Sequence, residues 1–159
     1  MPDNIEAVDI LGDLRQAPGH LMRRCQQIAV SVFLDECRSW DLTPLQFAIL
    51  VELKRKGPDD QVGLGGALAL DRTTISVVVR NLEERGLVER TVSEKDRRSK
   101  PVSITAKGVD LIRDVLPAAE NAQERMLAPL NISERTQFMR LLGKMANGNN
   151  SESRAPLKR

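Results

Sequence analysis

The sequence predicts a mainly α-helical domain with a small β-hairpin, and three observations support this prediction. Aromatic residues make up only 3% of the 159 residues and Tyr is absent, so the apolar side chains are mostly Leu, Val, Ile, Ala and Met. Unbranched apolar residues, like Arg, Glu, Lys and Gln, lose little freedom in helices. Apolar residues also recur at helical spacing, and a charged turn separates two short β-type segments between residues 87 and 105.

Length and composition indicate one domain with its own core. Apolar residues make up 41% of the chain and charged residues 29%, and the formal net charge is +2; such values are ordinary for a globular protein. No apolar run approaches the ~20 residues of a membrane span. The acidic first thirteen residues lack the basic-then-apolar order of a signal peptide. We therefore expect a cytoplasmic protein that does not contact a membrane.

The first helix is expected to begin at Pro18 and to run to about residue 40. Proline suits a first helical position, and apolar residues recur at three-to-four spacing from Leu21 to Val32. The apolar stripe is wide enough for a helix that packs on two sides, which suits a subunit interface as well as a core. Residues 1–17 are expected to form a flexible N-terminal segment.

The next three elements are expected to be a helix, a short helix and a capped amphipathic helix. Thr43 and Pro44 open the first of these, and Gly57 ends it. The short helix covers residues 61–69 despite three glycines. Asp71 caps the third, which runs from residue 72 to about residue 85. Its apolar face consists of Ile75, Val78, Val79 and Leu82.

Two strands and two helices are expected to complete the domain. The strands cover residues 87–92 and 101–105 and form a loose hairpin. A long helix follows over residues 106–127, and Pro117 is expected to kink or restart it. The last helix opens at residues 131–134. Residues 148–159 are polar and are expected to form a disordered tail.

A short helix, a turn, a capped amphipathic helix and a basic hairpin together form the pattern of a winged helix-turn-helix. If the apolar face of the third helix points inward, the 100° step per residue turns a different set of side chains outward. Small hydroxyls, a methyl-bearing side chain and an arginine all suit a major groove, and a helix N-terminus suits a phosphate. A merely solvated face would ordinarily carry lysine, and this face has none. The predicted DNA contacts on this helix are Arg72, Thr73, Thr74, Ser76, Val77 and Arg80.

The hairpin tip concentrates positive charge. Lys95, Arg97, Arg98 and Lys100 lie within six residues, together with Asp96. Such a tip can enter a narrow minor groove or lie along phosphates. A solvated turn is the alternative, and the position of the tip directly after a candidate recognition helix favours DNA.

This arrangement resembles the MarR family of bacterial regulators. The resemblance covers residues 18–145 and is most specific over residues 70–108. In that family a capped helix leads through Leu-Glu-x-x-Gly-Leu-Val into a wing, which carries Asp-x-Arg before an Ile-Thr or Leu-Thr step and a glycine. The matching residues are Leu82, Glu83, Gly86, Leu87, Val88, Asp96, Arg98, Ile104, Thr105 and Gly108.

The resemblance implies an obligate dimer that binds a palindromic operator. It implies one domain over residues 18–147, with dimerisation helices at about 18–40 and 106–147 and a winged helix-turn-helix at about 43–105. It further implies that Arg98 enters the minor groove and that Asp96 holds it there by an ion pair. Many relatives carry arginine in place of Val77, so base contacts that are fewer or of a different kind are expected here.

The resemblance also implies a small-molecule site between the dimer helices and the DNA-binding lobe. The segment Pro-Gly-His-Leu-x-Arg-Arg from residue 18, followed by Ser-Val-Phe-Leu-Asp-Glu-Cys, is similar to repressors of aromatic-acid or nicotinate catabolism. An arginine can pair with an effector carboxylate, and an aromatic side chain can contact its ring. The expected effector is therefore a hydroxynicotinate or a benzoate-type acid. The candidate effector-binding residues are His20, Arg23, Arg24, Phe33, Arg38, Trp40 and Phe47.

Structural roles are the alternative for the polar members of this set. His20 can serve as a hydrogen-bonding residue in the first turn of its helix. Arg23 and Arg24 can form ion pairs with Asp35, Glu36 or a partner subunit.

The sequence supports neither an enzyme nor a bound cofactor or metal. There is one histidine, and we find neither a phosphate-binding glycine loop with its lysine nor the ligand spacing of a zinc site. A DNA-free interaction module is disfavoured because the wing arginines are present. A thiol-responsive regulator of the same fold, using Cys25 or Cys37, remains an alternative. These cysteines would lie about 18 Å apart along one helix, too far to bridge, and both are expected to be buried apolar residues.

Overall fold

The computed structural model describes residues 12–91 and 100–158, and over these residues it has six α-helices and one antiparallel pair of strands. The helices are α1 Pro18–Glu36, α2 Pro44–Lys56, α3 Gln61–Leu68, α4 Arg72–Glu84, α5 Ala106–Leu127 and α6 Ile132–Gly148. The strands are β1 Val88–Arg90 and β2 Val102–Ile104, and short 3-10 helices cover Leu14–Gln16, Arg38–Trp40 and Asn150–Glu152. This order confirms the predicted mainly α fold with a β-hairpin.

A side-chain cap fixes the start of each helix from α2 to α6. The capping residues are Thr43, Asp60, Asp71, Thr105 and Asn131, and each side chain accepts a hydrogen bond from a backbone N–H in the first turn. Such bonds satisfy donors that a helix N-terminus otherwise leaves unpaired. The helix starts are therefore specified locally, which is why they could be predicted from the sequence.

Two helices differ in detail from the predictions. α1 ends at Glu36, four residues early, because the chain tightens into the 3-10 helix Arg38–Trp40 and then turns at Asp41, whose φ is 48°. α5 continues through Pro117 as one helix. Pro117 is exposed, so solvent can hydrate the carbonyl that loses its partner at the proline.

The hairpin pairs Val88 with Ile104 and Arg90 with Val102. A further bridge joins Asp59 to Val102: the N–H of Val102 donates to the carbonyl of Asp59 at 2.8 Å, and the N–H of Asp59 donates back at 3.2 Å. The segment before α3 thus lies along the outer edge of β2. This attachment fixes the base of the hairpin relative to the helix-turn-helix.

One hydrophobic core connects both halves of the chain. α1 and α5 pack together, and α2 contacts both of them. The end of α1 contributes Phe33 and Cys37, and the hairpin contributes Val88 and Val102. The other members from α2, α3, α4 and α5 include Ile49, Leu50, Leu53, Leu64, Ile75, Val79, Leu82, Ile112, Val115, Ala119 and Ala122. The inner face of α4 is therefore held in the same core as α1 and α5.

The last described residues differ from the expected disordered tail. The side-chain amide of Asn150 donates to the carbonyl of Leu157 at 3.0 Å, and its oxygen accepts from the N–H of Leu157 at 2.8 Å. These two bonds close a loop over residues 150–157. The N–H of Lys158 then donates to the carbonyl of Gly66 in α3 at 2.8 Å.

Gly108 gives a test of the contact between α5 and the hairpin. A Cβ at this position would lie 2.3 Å from the carbonyl oxygen of Leu87 and 2.7 Å from a side-chain carbon of Ile104. We expect Gly108→Ala to lower the free energy of unfolding by about 1–3 kcal/mol, since backbone must shift to admit the methyl group. Urea unfolding at a fixed protein concentration measures this.

Gly143→Ala in α6 is the matched control. A Cβ there meets nothing within 4 Å, and alanine favours a helix over glycine by about 0.5–1 kcal/mol. Equal effects of the two substitutions would contradict the packing described for Gly108.

Candidate nucleic-acid interface

α4 buries one face and exposes the other. Ile75, Val79 and Leu82 are at most 1% exposed, as the sequence predicted. Thr73, Ser76, Val77 and Arg80 are exposed, and the apolar Val77 is 42% exposed. The predicted outward set therefore lies together on the free surface of one helix.

The N-terminus of α4 is fixed by Asp71. Its carboxylate accepts hydrogen bonds from the N–H and from the hydroxyl of Thr74, both at 2.9 Å. These bonds lower the pKa of Asp71, the backbone N–H contributing most, so the carboxylate is charged at neutral pH. The hydroxyl of Thr74 is thus used by the cap, whereas Thr73 is exposed and available for a ligand outside the helix.

Two arginines of α4 carry a positive charge that no described residue pairs with. Arg72 and Arg80 are exposed, and neither forms an ion pair with any residue that the structure describes. Arg90 on β1, by contrast, pairs with Glu83 at 3.2 Å. The positive charge on the outer face of α4 is therefore not neutralised by described neighbours.

The turn between α3 and α4 gives a helix-turn-helix geometry. Ala69 adopts a left-handed conformation with φ of 53°, and the chain direction changes by 112° between the two helices, within the usual range for this motif. The N–H of Leu70 donates to the carbonyl of Gly65 at 2.8 Å. A Cβ on Gly65 would lie 2.9 Å from the carbonyl oxygen of Leu70, so this close approach requires glycine.

The predicted wing contacts fall mostly outside the described residues. Lys95, Asp96, Arg97 and Arg98 belong to residues 92–99, which the structure does not describe. Lys100 lies at the start of the returning segment and is exposed. The base of the wing is paired as far as Thr91, whose N–H donates to the carbonyl of Pro101 at 3.0 Å.

The candidate effector residues fall into two groups. His20, Arg23 and Arg24 lie in the first two turns of α1, where both arginines are exposed and His20 is half-buried. Phe33 lies roughly 14–20 Å further along α1, at the rise of 1.5 Å per residue, and Phe47 of α2 packs against it. Arg38 and Trp40 follow the end of α1, so the two groups lie toward opposite ends of this helix.

The aromatic group has a clear structural role. The rings of Phe33 and Phe47 pack with centroids 5.5 Å apart at 55°, and Phe33 is only 5% exposed. Trp40 is half-buried against the same core. Arg38 is exposed. Of these four, Arg38, Trp40 and Phe47 retain accessible surface.

The acidic residues at the end of α1 pair with α5. Arg125 contacts Asp35 at 2.7 Å and Glu36 at 2.5 Å, and Asn121 donates to Glu36 at 2.9 Å. The hydrogen bonds from Arg125 lower the pKa of both carboxyl groups. Asp35 and Glu36 are thus occupied by α5, and the structural alternative in which they pair with Arg23 or Arg24 is not observed within the chain.

Arg85, which the sequence analysis did not single out, connects the end of α4 to the end of α1. Its guanidinium donates to the carbonyl of Trp40 at 2.9 Å and to the carbonyl of Asp41 at 2.7 Å. The carbonyl of Arg85 in turn accepts from Lys107 of α5 at 2.7 Å. A basic residue before Gly86 was the only sequence signal, and it does not reveal partners 44 and 45 residues away.

Two apolar surfaces have no partner within the described chain. α6 has no buried residue, and Ile132, Met139, Leu141, Leu142 and Met145 are between 38% and 85% exposed. The first turns of α1 add Leu21, Met22 and Ile28. Exposed apolar surface of this extent usually marks an interface.

The prediction that both cysteines are buried holds for Cys37 and is wrong for Cys25. Cys37 is fully buried, and burial raises the pKa of its thiol. Cys25 is exposed, as are the other residues of α1 from 21 to 28. A raised pKa disfavours the reactive thiolate at Cys37.

Neither a metal site nor a membrane span is found among the residues that the structure describes. No group of three or more His, Cys, Asp or Glu is arranged to hold a metal ion there. No single described helix is long and apolar enough to cross a bilayer; α3 and α4 reach the required length and composition only as a pair bent by 112°.

Comparison with known proteins gives a consistent set of relatives. The family described as MarR matches residues 40–99. The chain is 34% identical over 133 residues to the HTH-type transcriptional repressor NicR of Pseudomonas putida, covering 84% of each protein.

Solved structures give the same result. BpsR from Bordetella bronchiseptica, whose DNA binding is regulated by 6-hydroxynicotinic acid, is 32% identical with a TM-score of 0.79, and the match covers 84% of this chain and 95% of that one. The repressor CouR bound to a 23-mer DNA duplex is 27% identical with a TM-score of 0.79, covering 86% and 96%.

The contacts of Arg85 predict a measurable contribution to stability. We expect Arg85→Ala to lower the free energy of unfolding by about 2 kcal/mol, because the half-buried carbonyl of Trp40 and the exposed carbonyl of Asp41 both lose a charged donor. Arg85→Lys should recover only part of this, since one ammonium cannot reproduce the guanidinium fork. Urea unfolding of each variant gives the values.

The control is Arg113→Ala in α5. Arg113 and its partner Asp110 are both more than half exposed, and such a surface pair contributes at most about 1 kcal/mol. If Arg85→Ala were no more costly than Arg113→Ala, the proposed connection between α4 and α1 would be refuted.

Proposed function

Since the chain belongs to the MarR family of transcriptional regulators, we propose that it is a dimeric repressor released from a palindromic operator by an aromatic or N-heteroaromatic acid. Membership of this family also confirms the prediction that the chain is not an enzyme. The DNA-binding part of the proposal is supported by the outer face of α4, which carries small side chains and two arginines that form no ion pair with a described residue, beside a capped N-terminus.

In this proposal α4 lies in the major groove. Thr73 and Ser76 offer hydroxyls to base edges or phosphates, Val77 offers a methyl contact, and Arg80 offers a bidentate donor for guanine. The free N–H groups of the first turn add a phosphate site. The wing brings Arg98 to the flanking minor groove, where a narrow groove attracts arginine. CouR, a relative of similar fold, has been solved on a DNA duplex.

Dimerisation would cover the two apolar surfaces. The exposed side chains of α6 and of the first turns of α1 would be buried against a second copy, at roughly 25 cal/mol per Å² of apolar surface. A two-fold axis would place two α4 helices about 34 Å apart, one turn of DNA. It would also bring parts of α1 that are distant within one chain close to elements of the other.

The effector site is proposed to form between α1 and the DNA-binding lobe. Arg23 and Arg24 form no ion pair with a described residue, so either can receive a carboxylate. Trp40 and Phe47 keep accessible ring surface. BpsR, whose DNA binding is regulated by 6-hydroxynicotinic acid, and the repressor NicR support a hydroxynicotinate or a related acid as the effector.

Release requires that the effector distinguish two states of the dimer. An effector with equal affinity for the DNA-competent and DNA-incompatible states would not change their populations. Each tenfold preference corresponds to about 1.4 kcal/mol. The hydrogen bonds of Arg85 connect the end of α1 to α4, so a movement of α1 is transmitted to the recognition helix.

The thiol-responsive alternative is less well supported. The buried Cys37 is a poor sensor because its pKa is raised, which leaves Cys25. Cys25 lies on the part of α1 that is proposed to pair with the second copy, where access for an oxidant would be restricted.

The groove assignments predict two different mutant phenotypes. Arg98→Ala should weaken binding to all duplexes and reduce the slope of log Kd against log salt by about 2 per dimer, at roughly 0.9 per phosphate contact. Arg80→Ala should reduce discrimination between the operator and a mismatched site by about tenfold. Fluorescence anisotropy titrations over a salt series measure both.

Arg140→Ala is the control, since Arg140 lies opposite the apolar stripe of α6 by helical spacing and is exposed. Arg140→Ala should alter neither the salt dependence of binding nor the discrimination between the operator and a mismatched site. Unchanged affinity, slope and discrimination in both Arg80→Ala and Arg98→Ala would rule out the groove assignments.

The effector assignment is tested by release of DNA with a panel of hydroxynicotinates, benzoates and cinnamates. We expect one class to release the operator, and Arg23→Ala or Arg24→Ala to raise the half-effective concentration by roughly tenfold or more, because a charge-assisted bond is lost. DNA affinity without effector should stay within about twofold of the parent.

Arg140→Ala again serves as the control and should leave the response unchanged. If no acid in the panel released bound DNA, the effector class would be wrong while the DNA-binding proposal stood.

A further inference from the structure

Residues 149–158, here called the C-terminal arm, lie against the helix-turn-helix. The N–H of Lys158 donates to the carbonyl of Gly66 in α3 at 2.8 Å. Ser153, Arg154 and Ala155 line a small cleft whose other wall is the turn between α3 and α4, formed by Ala69, Leu70 and Asp71. The middle of the arm therefore lies beside the N-terminus of the recognition helix, and its end lies on α3.

Gly66 is the residue that admits the arm. A Cβ at this position would have Lys158 as its nearest neighbour, with side-chain carbons at 3.0, 3.2 and 3.3 Å. No core side chain lies as close to this Cβ position. Glycine inside a helix lowers its stability relative to alanine, and the close approach of the arm accounts for glycine here.

The arm carries positive charge that the described protein does not neutralise. Arg154 and Lys158 are exposed, and neither forms an ion pair with a described residue. Arg154 is near enough to Asp71 to contribute to its lowered pKa. Arg154 thus lies beside the start of the recognition helix, next to which Arg72 is also exposed, and Lys158 lies beside α3.

The docked arm leaves the outer face of α4 open. Thr73, Ser76, Val77 and Arg80 are exposed with the arm in place. An autoinhibitory segment would have to cover these residues, and this arm lies beside them. In helix-turn-helix proteins the first helix crosses the DNA backbone, and α3 is the helix to which the arm is attached.

Resting on the proposed function, we propose that the C-terminal arm is a third DNA-contacting element, in which Arg154 and Lys158 bind backbone phosphates beside the major groove that α4 enters. Phosphate contacts position a protein and raise its affinity without reading sequence. The arm therefore adds affinity and salt dependence, and base preference stays with α4.

The test compares charge-matched variants of the full chain on a duplex recovered from random sequences with the parent protein. We expect Arg154→Gln combined with Lys158→Gln to lower the slope of log Kd against log NaCl by about 3.6 per dimer, for two contacts per arm at roughly 0.9 each. Binding at 100 mM NaCl should weaken by at least about tenfold. Arg140→Gln combined with Lys144→Gln removes the same charge from the polar face of α6 and should leave the slope unchanged.

A second variant keeps the charges and disturbs only the docking. Gly66→Val should displace Lys158 and lower the slope, with α-helical content retained by circular dichroism. If Gly66→Val kept the parent's slope of log Kd against log NaCl, the claim that docking on α3 positions the arm would be overturned.

The outcomes separate the two proposals. If the parent bound no duplex at low salt, DNA binding itself would fail and the arm with it. If the parent bound and the arm variant kept the same slope, the arm proposal alone would fail. If the arm variant bound DNA more tightly than the parent, the proposal that the arm contacts DNA would be overturned, and the arm would instead inhibit DNA binding.

Discussion

The inner face of α4 is buried in the same hydrophobic core that receives the end of α1 and the middle of α5. Arg85 adds a polar connection at the edge of this core, from the end of α4 to the carbonyls that follow α1. Protein interiors are close-packed and resist continuous deformation. The position of the recognition helix is therefore set by its packing with α1 and α5, and α1 is also one of the helices proposed to form the dimer. The proposed release of DNA by an effector bound beside α1 needs such a connection to α4.

The parts of the fold that could be predicted from the sequence depend on local interactions. Thr43, Asp71 and Asn131 accept hydrogen bonds from residues three positions ahead, so a short window contains the whole signal. The division of α4 into a buried and an exposed face follows from the 100° step per residue. The candidate contacts on α4 therefore lie on one exposed surface, except Thr74, which is half-buried and hydrogen-bonded to Asp71.

The parts that could not be predicted depend on contacts between distant segments. Arg85 donates to the carbonyl of Asp41, and Val102 pairs with Asp59. Both contacts involve backbone groups, which nearly every residue type shares, so the sequence does not identify these partners. The polar composition of the arm indicated disorder, but the bonds of Asn150 and the opening left by Gly66 give it a defined course. Cys25 was wrongly expected to be buried because an apolar stripe does not distinguish a core from a subunit interface.

The central claim is that two copies of this chain read a palindrome. It is tested most directly by selecting duplexes from random sequence with the full chain at low salt, and then measuring the mass of the complex by sedimentation equilibrium. The account predicts enriched duplexes with two inverted half-sites centred about 10 base pairs apart, each bound by two chains. Failure to enrich any sequence, or an asymmetric site bound by a single chain, would contradict it.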